Sequence, residues 1–104
     1  MLDNLRFIKY VRSFMDGRVR LRHPALQDGR VARLARDGIA AIPGVISVEV
    51  NSRSGSALLL YDNRRLSREH LMQAGVAWAV WLDDASNGHI GPLPAAQGET
   101  LLAN

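Results

Sequence analysis

Three short stretches of this chain alternate apolar and polar residues, the pattern of strands with one buried face. In Arg18–His23, Val19 and Leu21 point one way and Arg18, Arg20 and Arg22 the other. In Val45–Asn51, Ile46, Val48 and Val50 form the predicted core face, and Ser47, Glu49 and Asn51 face out. In Ser56–Asp62, Ala57, Leu59 and Tyr61 continue the core face, which leaves Leu58 and Leu60 on the opposite, otherwise polar side. Between the first two strands, Val31, Leu34, Ala35, Gly38 and Ile42 recur at helical spacing, opened by Asp28 as an N-cap and closed by Pro43-Gly44. A second helix is predicted from Ser67 to about Leu82, with Gly75–Leu82 apolar on every side. Leu5, Ile8, Val11 and Met15 repeat at helical spacing as well. They predict an amphipathic helix over Leu2–Met15, ended by Asp16-Gly17.

Strand, helix, strand, turn, strand, helix is most of a ferredoxin-like βαββα(β) unit. The expected fold is therefore an α+β sandwich with an extra N-terminal helix. A fourth strand would be short or missing, with His89-Ile90 as its remnant. The expected divisions are an N-terminal helix (1–16), the core domain (17–90) and a C-terminal tail (91–104) containing Pro92, Pro94 and Gly98.

Composition narrows the function more than the fold. A chain of 104 residues suggests one domain. With no cysteine, both a disulfide framework and a thiolate metal site are excluded. The net charge is +3, and all but Lys9 of the 13 basic residues are arginine. That charge is mild for a nucleic-acid binder. Charged residues interrupt the first 15 positions, so no leader is visible. The longest apolar run is also too short for a bilayer span, and the expected location is cytoplasmic.

The run Gly17–Arg22, then Ile42-Pro43-Gly44-Val45, Val48-x-Val50-Asn51, Ser54-Gly55-Ser56 and Tyr61-Asp62 resembles heavy-metal-associated domains, in particular their cysteine-poor branch. The resemblance covers about residues 17–82. It implies a ferredoxin-like fold and a history in metal handling. Copper- and zinc-carrying members place Met-x-Cys-x-x-Cys after the first core strand. Here that loop reads Arg22-His23-Pro24-Ala25-Leu26-Gln27-Asp28, so no thiolate carries over. Soft thiolates are what select copper(I).

The remaining chemistry is sparse. His23 lies in that loop, and His89 follows the second helix. With Asp28 they are the candidates for a thiolate-free zinc or copper(II) site, against the simpler reading of capping and surface side chains. Arg18, Arg20 and Arg22 share a sheet face with Leu58 and Leu60, a mixture more typical of an interface than of a solvated face. Trp78 and Trp81 need more cover than one small sheet provides, from the N-terminal helix or from a second copy of the chain. No nucleophile–base pair, phosphate loop or paired acidic cluster points to an enzyme, and no cofactor is implied. The leading expectation is a non-catalytic accessory module, linked to metal homeostasis or transport through a protein partner such as a metal-transport protein, or self-associating. It would make contact through Arg18, Arg20, Arg22, Leu58, Leu60, Trp78 and Trp81. The alternatives are metal binding through His23 and His89, and a membrane-surface adaptor using Arg6, Lys9 and Arg12.

Overall fold

The computed structural model describes residues 2–94. The elements are α1 (Leu2–Ile8), β1 (Val11–Met15), β2 (Arg18–Arg22), a 3-10 turn (Pro24–Gln27), α2 (Gly29–Ala40), β3 (Val45–Asn51), β4 (Ser56–Tyr61) and α3 (Arg68–Ser86). The strands form one antiparallel sheet in the order β1-β2-β4-β3. This is the expected α+β, ferredoxin-like architecture, with its helices packed on one side of the sheet.

The N-terminal segment departs from its predicted helix. The helix stops at Ile8, and Val11–Met15 is a strand pairing with β2. The hinge of this hairpin is Asp16-Gly17, and Gly17 sits at φ +82, where a side chain would be strained. A glycine in that conformation serves a helix end or a hairpin equally well, so the local signal is shared. Tertiary pairing decides it: as a strand the segment fills the free edge of β2. His89 and Ile90, the expected strand remnant, belong to no strand. The N-terminal strand thus occupies the edge that a strand following the last helix would take in a complete βαββαβ unit.

Most of the alternation holds. Val19, Ala57, Leu59 and Tyr61 are buried beneath the helices, with Leu21, Val45, Val48 and Val50 half-buried beside them. Ile46 is a correction: the register slips between Val45 and Ser47, and Ile46 is left 67% exposed rather than in the core.

The helices start where their caps predict. Asp28 Oδ1 accepts from the amides of Arg30 and Val31, and Ser67 Oγ from that of His70. However, α3 runs past the predicted end at Leu82 to Ser86, and the stop is Asn87-Gly88. α1 lies against α3, where Phe7 rests on Gly75; a Cβ there would come within 2.7 Å of the ring. Trp78 and Trp81 are each 5% exposed and meet edge to face, with ring centroids 5.2 Å apart. Trp81 Nε1–H donates to the Gly91 carbonyl at 3.1 Å, and Gly38 of α2 abuts the Trp78 ring. The cover these indoles require comes from within the chain. They face the interior, so the partner surface expected of Trp78 and Trp81 is not on offer. Much of the tail predicted for 91–104 lies outside the described residues.

Candidate functional site

β2 ends at Arg22, and the next residue, His23, opens the loop that leads through the 3-10 turn into α2. The backbone N–H of His23 bonds to the Gly55 carbonyl in the β3–β4 turn. Pro24 then starts the 3-10 turn, and the imidazole caps it: Nδ1 accepts from the Ala25 N–H at 3.0 Å. The other ring nitrogen, Nε2, lies 2.8 Å from Asp83 Oδ1. The side chain is 1% exposed, and the Tyr10 ring stacks obliquely on it with centroids 4.2 Å apart.

Asp83 gathers these contacts. Its Oδ1 also accepts the Tyr10 hydroxyl, and its Oδ2 lies 3.2 Å from Arg6 Nε. One carboxylate therefore joins α1, the turn before β1, the loop after β2, and α3. Partial burial works to raise the Asp83 pKa, but the hydrogen bonds from Tyr10 and His23, with the positive charge of Arg6, outweigh it. They hold the carboxyl below its usual range. Burial first, and the bond to Asp83 second, push the Tyr10 phenol up to about 12.

This geometry fixes what the cluster can do. Because Nδ1 accepts a backbone N–H, the ring proton sits on Nε2 and is donated to Asp83. A metal at Nε2 would need that lone pair and would drive the proton to Nδ1, against the Ala25 N–H. His23 is therefore a committed imidazole rather than an open ligand. Nor does the cluster resemble a catalytic triad. The Tyr10 phenol stays protonated at neutral pH, and Asp83 is tied by three donors. It is a clamp holding the N-terminal segment over the His23 loop.

The other predicted residues fall elsewhere. Asp28 is spent as the cap of α2. His89 is exposed beyond the end of α3, its amide bonded to the Asp84 carbonyl. Among the described residues, no three His, Asp or Glu side chains converge as a metal site, so His23, His89 and Asp28 do not form the predicted set. Arg6, Lys9 and Arg12 do not share a helix face, because the helix ends between them. Sequence reading missed Asp83 and Tyr10: the predicted helix ended at about Leu82, and only the extra turn of α3 carries Asp83 inward.

The other feature is the open side of the sheet. Arg18 stands opposite Leu60 and Arg20 opposite Leu58 across the β2–β4 ladder, and Glu49 flanks Leu58 from β3. Leu58 and Leu60 are half-buried, shielded in part by the arginine stems. Met15, opposite Arg18 on β1, is 58% exposed. The N-terminal helix packs on α3, not over this face. No helix among the described residues is long and apolar enough to cross a membrane.

The model of one family, heavy metal associated domain 2, matches residues 2–89. No curated protein and no solved structure matches the chain at a significant level. Domains of this kind are in general metal-binding or interaction modules. The match runs through the N-terminal segment, both core helices and all four strands, and on that evidence the chain belongs to the heavy metal associated domain 2 family.

Proposed function

We propose that this domain is a non-catalytic interaction module of metal homeostasis, acting through a protein partner that docks on the open sheet face. The observation that carries the reading is the state of the loop at His23. It has no thiolate, its imidazole is bonded at both nitrogens, and the Tyr10–Asp83 clamp closes over it. A scaffold whose metal loop is closed keeps only its surfaces as a means of acting. The surface that mixes arginine with aliphatic area is the one carrying Arg18, Arg20, Arg22, Leu58 and Leu60. Burying each leucine further would contribute up to about 1.5–3 kcal/mol, and arginine is enriched in interfaces.

The test is quantitative affinity capture from the native host with the parent chain and with the Leu58→Asp/Leu60→Asp variant, alongside light scattering on both. The expected result is a metal-transport or metal-handling protein enriched by the parent and lost with the variant. Tight stoichiometric binding of copper(I) or zinc by the purified chain would overturn the reading. Equal capture by parent and variant would move the contact off this face. A dimer that the variant dissolves would make the partner a second copy.

A further inference from the structure

At the end of the sheet beside the His23 loop, Lys9, Arg12 and Arg22 line one open groove of about 410 Å³, together with Pro24, Gln27 and Ser54. We propose that this groove binds a phosphate group, a site distinct from the sheet-face contact above. Three cations line it and no acidic side chain does. Among the described residues no carboxylate pairs with any of the three: the ion pairs engage Arg6, Arg36 and Arg64 instead. Like charges brought together repel, and a bound anion relieves that repulsion.

The placement of the cations follows from the fold. The β1–β2 register shifts between Val11 and Ser13, so Arg12 is the extra residue of a bulge, a device that re-aims a side chain at a sheet edge. Arg22 is fixed by its Nε–H, which donates to the Ser54 carbonyl at 2.9 Å and leaves the terminal nitrogens of the guanidinium for a ligand. The backbone amide of Arg22 donates to the Tyr10 carbonyl at 2.9 Å, which holds the Lys9–Tyr10 turn against β2. Lys9 Nζ lies 5.0 Å from the centre of the Tyr10 ring at the rim. Two guanidinium forks and one ammonium suit a tetrahedral dianion better than a single carboxylate. A soluble phosphate monoester and a lipid phosphate headgroup offer the same chemistry.

The experiment uses the full chain. Inorganic phosphate is titrated against chloride at matched ionic strength, with backbone and arginine side-chain shifts followed by NMR. Co-sedimentation is run with phosphatidylcholine vesicles, with and without phosphatidic acid. Lys9→Gln and Arg12→Gln are the test variants; both positions are exposed, and near-ultraviolet circular dichroism checks their fold. Arg18→Gln/Arg20→Gln is the control on the sheet face. The expected result is saturable binding that perturbs Lys9, Arg12, Arg22 and Ser54, weakened roughly tenfold by either test variant and unchanged by the control. Binding to inorganic phosphate assigns a soluble ligand. Binding only to the phosphatidic acid vesicles, with the same sensitivity to the variants, assigns a lipid headgroup. Phosphate shifts no larger than those of chloride, together with no preference for phosphatidic acid, overturn the proposal. So does binding that Lys9→Gln and Arg12→Gln leave intact.

Discussion

Replacing Asp83 with alanine should cost this domain about 2–4 kcal/mol. The largest share comes from His23, whose Nε2–H would be left buried without an acceptor, at about 1–3 kcal/mol. The Tyr10 hydroxyl is only half-buried and recovers water, so it adds less. The Arg6 pair is half-exposed on the arginine side, with a side-chain exposure of 51%, and such pairs contribute about 0–1 kcal/mol. Trp78 and Trp81 are buried reporters, so urea denaturation followed by tryptophan fluorescence measures the loss directly. In a chain of this size each kcal/mol lowers Tm by about 4–8 °C. The acid limb carries a second signature. Asp83 has its folded-state pKa below its unfolded value of about 3.9. Its contribution is therefore full above the unfolded value and is lost as pH falls through the folded one. The gap between parent and variant should be steady near neutrality and narrow in acid. Equal stability at pH 7, or a gap unchanged far into acid, would refute the role given to the clamp.

Tyr10→Phe keeps the ring over His23 but removes the donor, and should cost about 0.5–1.5 kcal/mol. It should also abolish the tyrosinate absorbance phase near 12, and with it the stability that the parent loses as pH rises from about 10 towards 12. Gly38→Ala sets two effects against each other: a helix gain of about 0.5–1 kcal/mol and a Cβ only 2.6 Å from the Trp78 ring. Overpacking of about 1–3 kcal/mol should win, and a variant more stable than the parent in thermal melts would show that the indole yields. Stoichiometric zinc or copper(I) should leave the parent melt unmoved; a metal-dependent rise of several degrees would mean that ligands assemble despite the occupied His23 ring.

The alternating stretches were legible because each strand buries one face and the residues on it, Val19, Leu59 and Tyr61 among them, say so plainly. Both core helices announced their starts through Asp28 and Ser67. What escaped depended on partners far away in sequence. Val11, Phe14 and Met15 fit a helical stripe as well as a strand, and nothing within five residues of them reveals that β2 has a free edge. Ile46 sits in perfect alternation, but the register slip opposite Leu60 turns it out to solvent. Asp83 followed an apolar helix and preceded another acid, a local context that describes a helix end. Its burial depends on Tyr10 and His23, 73 and 60 positions away.

The misread N-terminal segment and the missed Asp83 share one physical origin. The segment that forms β1 completes the sheet, and the turn leading into it lays Tyr10 across His23 while the helix before it brings Arg6 to Asp83. Edge pairing and closure of the loop are thus two results of one placement. A metal carrier must keep its ligands reachable, because a cargo ion is passed by exchange between donors on two proteins. Here the corresponding position is roofed by an aromatic ring, and its one nitrogen ligand is bonded on both sides. Opening the His23 loop would require releasing the N-terminal strand, and that would expose the β2 edge and the inner-face residues Val11 and Phe14. The same hydrophobic pairing that stabilises the sheet therefore opposes opening of the His23 loop, and it is this coupling that the Asp83 and Tyr10 variants probe.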